Sequence, residues 1–388
     1  IPSMPYLIPS LFTLLLLPLI SHSSIPSAPQ PGFKYDEQLA RLALEFAAAS
    51  YADDPWPCLR KHDASLVLQV DVPCDAVRDK CWAIIVDAPQ HIVVAFQGTS
   101  SRTQLITELV ESITSPKHQV PGIGSVQRYF FVALESISKH IELKLNKLRE
   151  LHPSKSVLFT GHSLGGALAS LAAAEYANKA AIDSSKLFLV TFGQPRVGNF
   201  EYAQSVDRLV PNTWRIVHKF DLVAHVPYCV GLRTCQDFLN HSPYHHGTEV
   251  WYPTTMNSTD LYRVCDGKPL DEDAKCSNGH LFYNIDDHLR YFEKHVSDYG
   301  IAGCPIDPKS RVATVSHRHR KPARRYRNRP RFLNQTLEDM PELEAIAMIT
   351  EVAMTRWAKD YVEYVWDWWH RKNATGGDGG EEPFRPSW

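Results

Sequence analysis

The sequence of 388 residues lacks the features that mark several large classes of protein. Its 41 Lys and Arg residues are balanced by 43 Asp and Glu residues, which excludes a wholly basic nucleic-acid-binding protein. It also lacks a G-x-x-x-x-G-K phosphate loop and a dinucleotide fingerprint, so we expect no nucleotide cofactor. No internal repeat of fixed period is present. Because 44% of the residues are hydrophobic and 22% are charged, the chain is predicted to be globular, not disordered, collagen-like or coiled-coil.

Long hydrophobic runs are scarce as well. The apolar run at residues 11–20 has ten residues, whereas a membrane-spanning helix needs about 20. Small polar residues follow it, which is typical of a signal peptide, so residues 1–24 are predicted to direct secretion; a buried or membrane-anchoring segment is the alternative. A secreted glycoprotein is consistent with the Asn-x-Ser/Thr triplets, which begin at Asn240, Asn257, Asn334 and Asn373.

Cysteine is absent after Cys304, and none of the eight cysteines forms the paired C-x-x-C pattern of a zinc site. An even number of cysteines behind a signal-like N-terminus favours disulfides over free thiols or a metal site. The doublet His245-His246 has no third ligand at helical spacing, so it is interpreted as part of a solvated loop. We therefore predict no bound metal.

Helical and strand patterns alternate along most of the chain. Apolar residues recur at helical spacing at residues 35–46 and 126–151, and the Ala/Leu-rich stretch at 164–181 is also predicted to be helical. Short apolar runs that predict buried strands lie at residues 157–160, 187–192 and 214–217. Two β-rich runs at 82–87 and 91–97 predict a hairpin. This alternation predicts an α/β fold with a largely parallel sheet.

The C-terminal part of the chain has a different composition. Residues 305–331 hold ten Lys or Arg residues and one acidic residue, Asp307, and are predicted to be a basic Pro/Arg-rich linker. Residues 336–372 predict an accessory amphipathic helix, followed by a flexible tail at 373–388. The aromatic face of the predicted accessory helix includes Trp357, Tyr361, Tyr364 and Trp368. We expect that face to be buried against the chain's own core, a partner or second copy, or a lipid surface.

The strongest chemical motif is Gly161-His162-Ser163-Leu164-Gly165, which lies where an apolar strand is predicted to turn into a helix. The glycines two residues before and after Ser163 let backbone approach backbone at a sharp turn. The helix directs its N-terminal N–H groups and its dipole toward Ser163, which favours negative charge on an attacked ester carbonyl. We therefore predict Ser163 as a nucleophile and the N–H of Leu164 as an oxyanion donor.

A nucleophilic serine requires a base to take its proton and a carboxylate to orient that base. On chemistry alone, Asp207 and Asp221 compete for the role of the carboxylate. The histidines that compete for the role of the base are His225, His241, His245, His246, His280, His288 and His295.

The chain resembles the class 3 lipases, the α/β-hydrolase family typified by the fungal triacylglycerol lipases. The resemblance covers residues 33–304 and rests on four segments: VLFTGHSLGG at 157–166, FGQPRVGN at 192–199, DLVAHVP at 221–227 and HLRYF at 288–292. It implies an α/β-hydrolase fold with a mostly parallel central sheet, and it selects Asp221 and His288 as the partners of Ser163. It also implies that this protein is a secreted serine hydrolase, which cleaves acylglycerol esters at lipid–water interfaces without a cofactor.

The same resemblance assigns roles around the nucleophile. Gln97-Gly98-Thr99 stands where the family has its first oxyanion residue, so Thr99 is expected to stabilise the oxyanion, although the family often has Arg and Ser at the first and third positions. A lid is expected just after it, with an apolar face of Leu105, Ile106, Leu109, Val110 and Ile113. The pattern alone is equally typical of a surface helix. The family's usual tryptophan is missing near Gln104, so we expect weak interfacial activation.

Disulfide pairing is likewise implied by the resemblance, since eight cysteines allow 105 pairings. It favours Cys58 with Cys304, and the short-range pairs that complete the set are Cys74 with Cys81, Cys229 with Cys235, and Cys265 with Cys276.

Phospholipase A1 and soluble carboxylesterase remain alternative activities. A non-catalytic lipid-binding homologue is a further alternative, but such a chain is expected to lose the nucleophile, the base or the oxyanion glycines, and all of them are present here. Contact with a membrane or lipid surface fits the lipase interpretation. The sequence predicts no oligomeric state.

Overall fold

The computed structural model describes residues 34–73, 80–99, 117–180, 182–228, 243–265, 272–280 and 283–306. The strands within them are β1 (Ser65–Pro73), β2 (Lys80–Asp87), β3 (His91–Phe96), β4 (Lys117–Val120), β5 (Gly124–Gln127), β6 (Ser156–His162), β7 (Leu187–Phe192), β8 (Asn212–His218), β9 (Thr248–Tyr252), β10 (Arg263–Val264), β11 (Arg290–Tyr291) and β12 (Lys294–His295). The helices are α1 (Glu37–Ala49), α2 (Trp56–Leu59), α3 (Arg128–Leu151), α4 (Leu164–Lys179), α5 (Phe200–Leu209), α6 (Ile285–His288) and α7 (Val296–Ile301).

Eight of the strands form one sheet in the order β1-β2-β3-β6-β7-β8-β9-β10. The five central strands, from β3 to β9, are parallel, and antiparallel pairs of β1 with β2, β2 with β3 and β9 with β10 extend the sheet at both sides. The predicted hairpin and the mostly parallel α/β sheet are therefore both confirmed. Separate two-stranded ladders join β4 to β5 and β11 to β12.

The sheet separates two hydrophobic layers, because successive side chains of a strand point to opposite faces. In β3, Val94 lies in the layer that α3 and α4 cover, whereas Val93 and Ala95 lie in the layer that α1 and α7 cover. Helix α4 is buried on all sides from Gly165 to Ala174, where small and apolar residues predominate, and its charged residues follow that stretch. Among the described residues, no helix is long and apolar enough to cross a membrane.

Two disulfides have both cysteines among the described residues, one between distant parts of the chain and one local. Cys58 pairs with Cys304 across 246 residues, which joins α2 to the segment after α7, and Cys265 pairs with Cys276. Cys81 is also disulfide-bonded, whereas Cys74, Cys229 and Cys235 lie outside the described residues. The predicted signal peptide, lid, basic linker, accessory helix and tail lie outside them as well.

Candidate active site

Ser163 lies at the turn between β6 and α4, as the sequence predicts. Its φ of 61° is in the left-handed region, which is strained for a residue with a side chain. A Cβ at Gly161 would lie 2.2 Å from the carbonyl oxygen of Gly165, and a Cβ at Gly165 would lie 2.2 Å from that of Phe96. The two glycines therefore allow strand, turn and helix to approach closely enough to form the turn.

Asp221 follows β8 at the carboxyl edge of the sheet and is fully buried. One carboxylate oxygen, Oδ1, accepts the backbone N–H of Val223 at 2.8 Å, and the other, Oδ2, accepts the Tyr291 hydroxyl at 2.5 Å. Burial raises the pKa of Asp221, but the adjacent His288 and the Tyr291 hydroxyl outweigh burial and lower that pKa to about 2. The side chain is therefore a carboxylate at neutral pH.

His288 lies at the end of α6, with its Nδ1 at 2.9 Å from Oδ2 of Asp221. Because a carboxylate only accepts, Nδ1 carries the proton and Nε2 has a free lone pair. His288 Nε2 and Ser163 Oγ are both buried, and neither has a hydrogen-bond partner among the described residues. The ring of His162, the residue before Ser163, stacks on the His288 ring with centroids 4.5 Å apart, which brings the two segments together. We call Ser163, Asp221 and His288 the serine cluster.

Backbone donors lie next to this cluster. A Cβ at Gly98 would be 3.2 Å from the Cβ of Ser163, so the chain leading to Thr99 passes directly beside Ser163. Leu164 is the first residue of α4, where a backbone N–H has no partner within the helix. Both predicted oxyanion residues therefore belong to segments that adjoin Ser163.

Two residues that the sequence analysis did not identify complete the surroundings of the serine cluster. Gly193 has a φ of 55°, and a Cβ there would lie 2.5 Å from Oδ2 of Asp221 and 2.6 Å from Nδ1 of His288. Tyr291 holds the carboxylate through its hydroxyl. Gly193 lies in the FGQPRVGN segment and Tyr291 lies in the HLRYF segment. The sequence alone does not show that either residue contacts the carboxylate of Asp221.

The rival residues have other partners. Asp207 accepts the backbone N–H of Gly247 at 2.7 Å, and His295 lies 3.2 Å from Asp298. His225 contacts the backbone oxygen of Asp221, not its carboxylate, and His241 lies outside the described residues.

The interpretation of His245-His246 as a solvated loop is wrong. Both rings are buried, because internal acceptors and donors replace water: His245 Nε2 lies 2.7 Å from the carbonyl oxygen of Ala224, and His246 Nε2 lies 2.7 Å from Ser170 Oγ.

A second buried group of charges, the arginine cluster, lies behind the loop that carries Asp221. It consists of Arg196, Arg215, Glu249 and Glu272. Arg196 binds both carboxylate oxygens of Glu272 at 2.8 Å and donates to the carbonyl oxygens of His225 and Pro227 at 2.5 and 3.1 Å. Since His225 contacts Asp221 in turn, this cluster fixes the position of the acid-bearing loop.

One group of side chains in the described ranges has metal-ligand chemistry. Glu249 lies close to Cys265 and Cys276, but these two cysteines are joined in a disulfide and have no thiolate to offer. The donor set therefore does not fit a metal ion.

The chain matches one family model and several known lipases. The family described as Lipase (class 3) matches residues 93–231. Lipase ZK262.3 of Caenorhabditis elegans is 35% identical over 298 residues, which are 70% of this chain and 83% of that protein. The secreted mono- and diacylglycerol lipase 1 of Fusarium solani is 31% identical over 212 residues, which are 53% of this chain and 58% of that protein.

A solved structure of a triacylglycerol lipase, whose catalytic centre is formed by a serine protease triad, superposes with a TM-score of 0.57 at 25% identity. The superposition covers 69% of this chain and 97% of that one. The motifs, the α/β sheet and these relatives agree, and the chain belongs to the class 3 lipase family of ester hydrolases.

Proposed function

We propose that this protein hydrolyses the carboxylic ester bonds of acylglycerols through a covalent acyl-enzyme on Ser163. The observation that carries the proposal is the pairing of His288 Nδ1 with Asp221, together with the unpaired, buried Nε2 of His288 and Oγ of Ser163. Such an arrangement leaves one nitrogen to accept the proton of one hydroxyl.

The reaction begins when Ser163 Oγ attacks the ester carbonyl carbon while its proton moves to His288 Nε2. The C–O bond to the glycerol side then breaks, and His288 returns the proton to the leaving alcohol. Water attacks the acyl-enzyme in the second half, giving its proton to His288, and the free fatty acid leaves as Ser163 recovers its proton. Asp221 stabilises the transient imidazolium and keeps Nδ1 protonated.

The negative oxygen of the tetrahedral intermediate needs donors that are already in place. We assign this role to the backbone N–H of Leu164 and to Thr99, with the α4 dipole adding to the field. The position of Leu164 at the start of α4 and the close approach of Gly98 to Ser163 support the assignment.

Acylglycerols are proposed as substrates because the related proteins are named for them, one as a triacylglycerol lipase and one as a secreted mono- and diacylglycerol lipase. Secretion is proposed on the same basis and on the two described disulfides, which persist in oxidising compartments. We further propose that the enzyme acts at the lipid–water interface. Its rate is then expected to rise disproportionately once an ester exceeds its solubility.

The test combines labelling with three substrates. A fluorescent organophosphonate should label wild-type protein once, at Ser163, and Ser163→Ala should lose labelling and at least about a thousandfold in turnover while keeping its unfolding midpoint. Rates on emulsified triacylglycerol, phosphatidylcholine and a soluble short-chain ester then rank the substrates. Faster turnover of phosphatidylcholine or the soluble ester would replace the acylglycerol proposal, and an unlabelled wild type would end it.

A further inference from the structure

His162, the residue just before the nucleophile, is a second imidazole buried against His288. Its side chain bridges two groups: Nδ1 lies 2.9 Å from the Tyr51 hydroxyl, and Nε2 lies 2.8 Å from the carbonyl oxygen of His288. A carbonyl oxygen only accepts, so Nε2 carries the proton, and Nδ1 accepts the proton of the Tyr51 hydroxyl. The tautomer of His162 is therefore fixed from both sides.

The two imidazole rings are stacked, with centroids 4.5 Å apart and planes inclined by 24°. Burial and the neighbouring His288 ring together lower the pKa of His162 to about 3, although the hydrogen bond to the His288 carbonyl and the charge of Asp221 act in the opposite direction. A neutral ring consequently lies on the face of the base during turnover. This matters because a cation at that place would repel the imidazolium that forms at His288.

Three contacts and one space restriction then define the position of His288. Asp221 accepts the hydrogen bond from Nδ1. A side chain at position 193 is excluded, because its Cβ would meet both Asp221 and His288. His162 holds the main-chain carbonyl and covers one ring face. Nε2 is the atom left unpaired among the described residues.

We propose that the Tyr51–His162 pair is a positioning element for the general base: Tyr51 fixes the Nε2–H tautomer of His162, and His162 holds the backbone and ring of His288 where Nε2 can serve Ser163. This inference rests on the proposed function, since it assigns His288 as the base. Neither Tyr51 nor His162 exchanges a proton with substrate, so both act through His288.

Three variants test this role. His162→Leu keeps an apolar side chain but has no donor for the His288 carbonyl, and we expect kcat to fall about 10- to 100-fold with KM changed less than about threefold, because a small displacement of the base slows the chemical step. His162→Gln keeps an N–H near the place of Nε2 and should retain kcat within about fivefold of wild type. Tyr51→Phe should lower kcat about 3- to 10-fold, which is the usual effect of one lost hydrogen bond.

Rates are expressed per phosphonate-titrated site, which removes any loss of folded protein from the comparison. The matched control is His91→Leu, because His91 donates to or accepts from Ser156 at 2.6 Å near the amino ends of β3 and β6, away from the serine cluster. Its kcat per titrated site should equal that of wild type.

A double-mutant cycle separates the two partners. The Gln side chain has no counterpart of Nδ1 to be fixed, so adding Tyr51→Phe to His162→Gln should change kcat by less than about twofold. Equal kcat for His162→Leu and wild type, or a His162→Gln variant as slow as His162→Leu, would overturn the proposal. If His162→Leu does not fold, the result for Tyr51→Phe decides, and an unchanged kcat there overturns it. Absence of labelling in wild type would instead refute the triad itself.

Discussion

The serine cluster and the Arg196–Glu272 pair of the arginine cluster are both buried beside the same loop, yet they differ in one respect. All three guanidinium nitrogens of Arg196 are hydrogen-bonded, to Glu272, Asn278 and two backbone carbonyls. In the serine cluster, His288 Nε2 and Ser163 Oγ have no partner among the residues described by the structure. Fully paired buried charges fix a conformation, whereas an unpaired polar atom in a fixed conformation is available for chemistry.

The comparison predicts that changes in the serine cluster reduce catalysis more than stability. Asp221→Asn should lower kcat on a soluble ester by about 10⁴-fold, because the amide no longer favours the Nδ1-protonated tautomer of His288. The matched control is Asp207→Asn, since Asp207 binds the N–H of Gly247 and should leave kcat unchanged. If the control loses as much activity as Asp221→Asn, the assignment of the acid is wrong.

Changes in the arginine cluster should have the opposite profile. Arg196→Met leaves Glu272 buried without its charge partner, so the free energy of unfolding should fall by about 3–5 kcal/mol. Urea unfolding measures the change, and Arg196→Met/Glu272→Gln should recover part of it. The control is the half-exposed Lys179, which pairs with Glu142 and Glu175, since Lys179→Met should cost less than about 1 kcal/mol. If Arg196→Met lowered the free energy of unfolding by less than about 1 kcal/mol, the distinction between the clusters would be lost.

Gly193 tests whether the serine cluster tolerates displacement. Gly193→Ala should lower kcat about 100-fold, because its Cβ would meet Asp221 and His288 and move them apart. Gly122→Ala introduces the same strain, at a φ of 76°, beside the side chain of Asn178 and away from the serine cluster. Similar losses of kcat in both variants would attribute the effect to backbone strain alone.

Another buried carboxylate, outside both clusters, extends the comparison to the effect of pH on stability. Burial raises the pKa of Glu45, but His62, Lys294 and Lys61 outweigh burial and lower it to about 2, while the Tyr299 hydroxyl also donates to it. A depressed pKa stabilises the fold above the unfolded value and loses that effect as pH falls through about 2. Glu45→Gln should therefore cost on the order of 2 kcal/mol at pH 7 and much less near pH 2.

Unfolding of wild-type and Glu45→Gln protein at several pH values gives this difference directly. Catalysis per folded molecule at pH 7 should be the same in both, since Glu45 ties α1 to Lys294 and Tyr299 and does not contact the serine cluster. A stability difference that is constant with pH would show that packing, not charge, is responsible.

Local patterns predicted the fold and the strand–turn–helix position of Ser163 because both depend on neighbours in sequence. The strand, turn and helix around Ser163 follow from a few residues, and β7 begins and ends where its apolar run does. The prediction of His288 as the base was a different case. His288 lies 67 residues from Asp221, and only the family resemblance separated it from six other histidines.

What sequence analysis missed depends on contacts across the fold. The Arg196–Glu272 pair spans 76 residues and the Tyr51–His162 pair spans 111, so no spacing rule relates their members. The burial of His245 and His246 was missed for the same reason, since their partners Ala224 and Ser170 come from other elements. The lid and disulfide predictions at Cys74 and Cys229 remain predictions.

The Cys58–Cys304 bond also closes residues 58–304 into one covalent ring. Ser163, Asp221 and His288 all lie within that ring, and the Arg-rich residues 305–331 lie beyond it. A single backbone cut between the two cysteines would leave both fragments in one molecule until reductant is added. A cut among the arginines would instead release the C-terminal part at once, so electrophoresis with and without reductant distinguishes a nicked enzyme from a trimmed one.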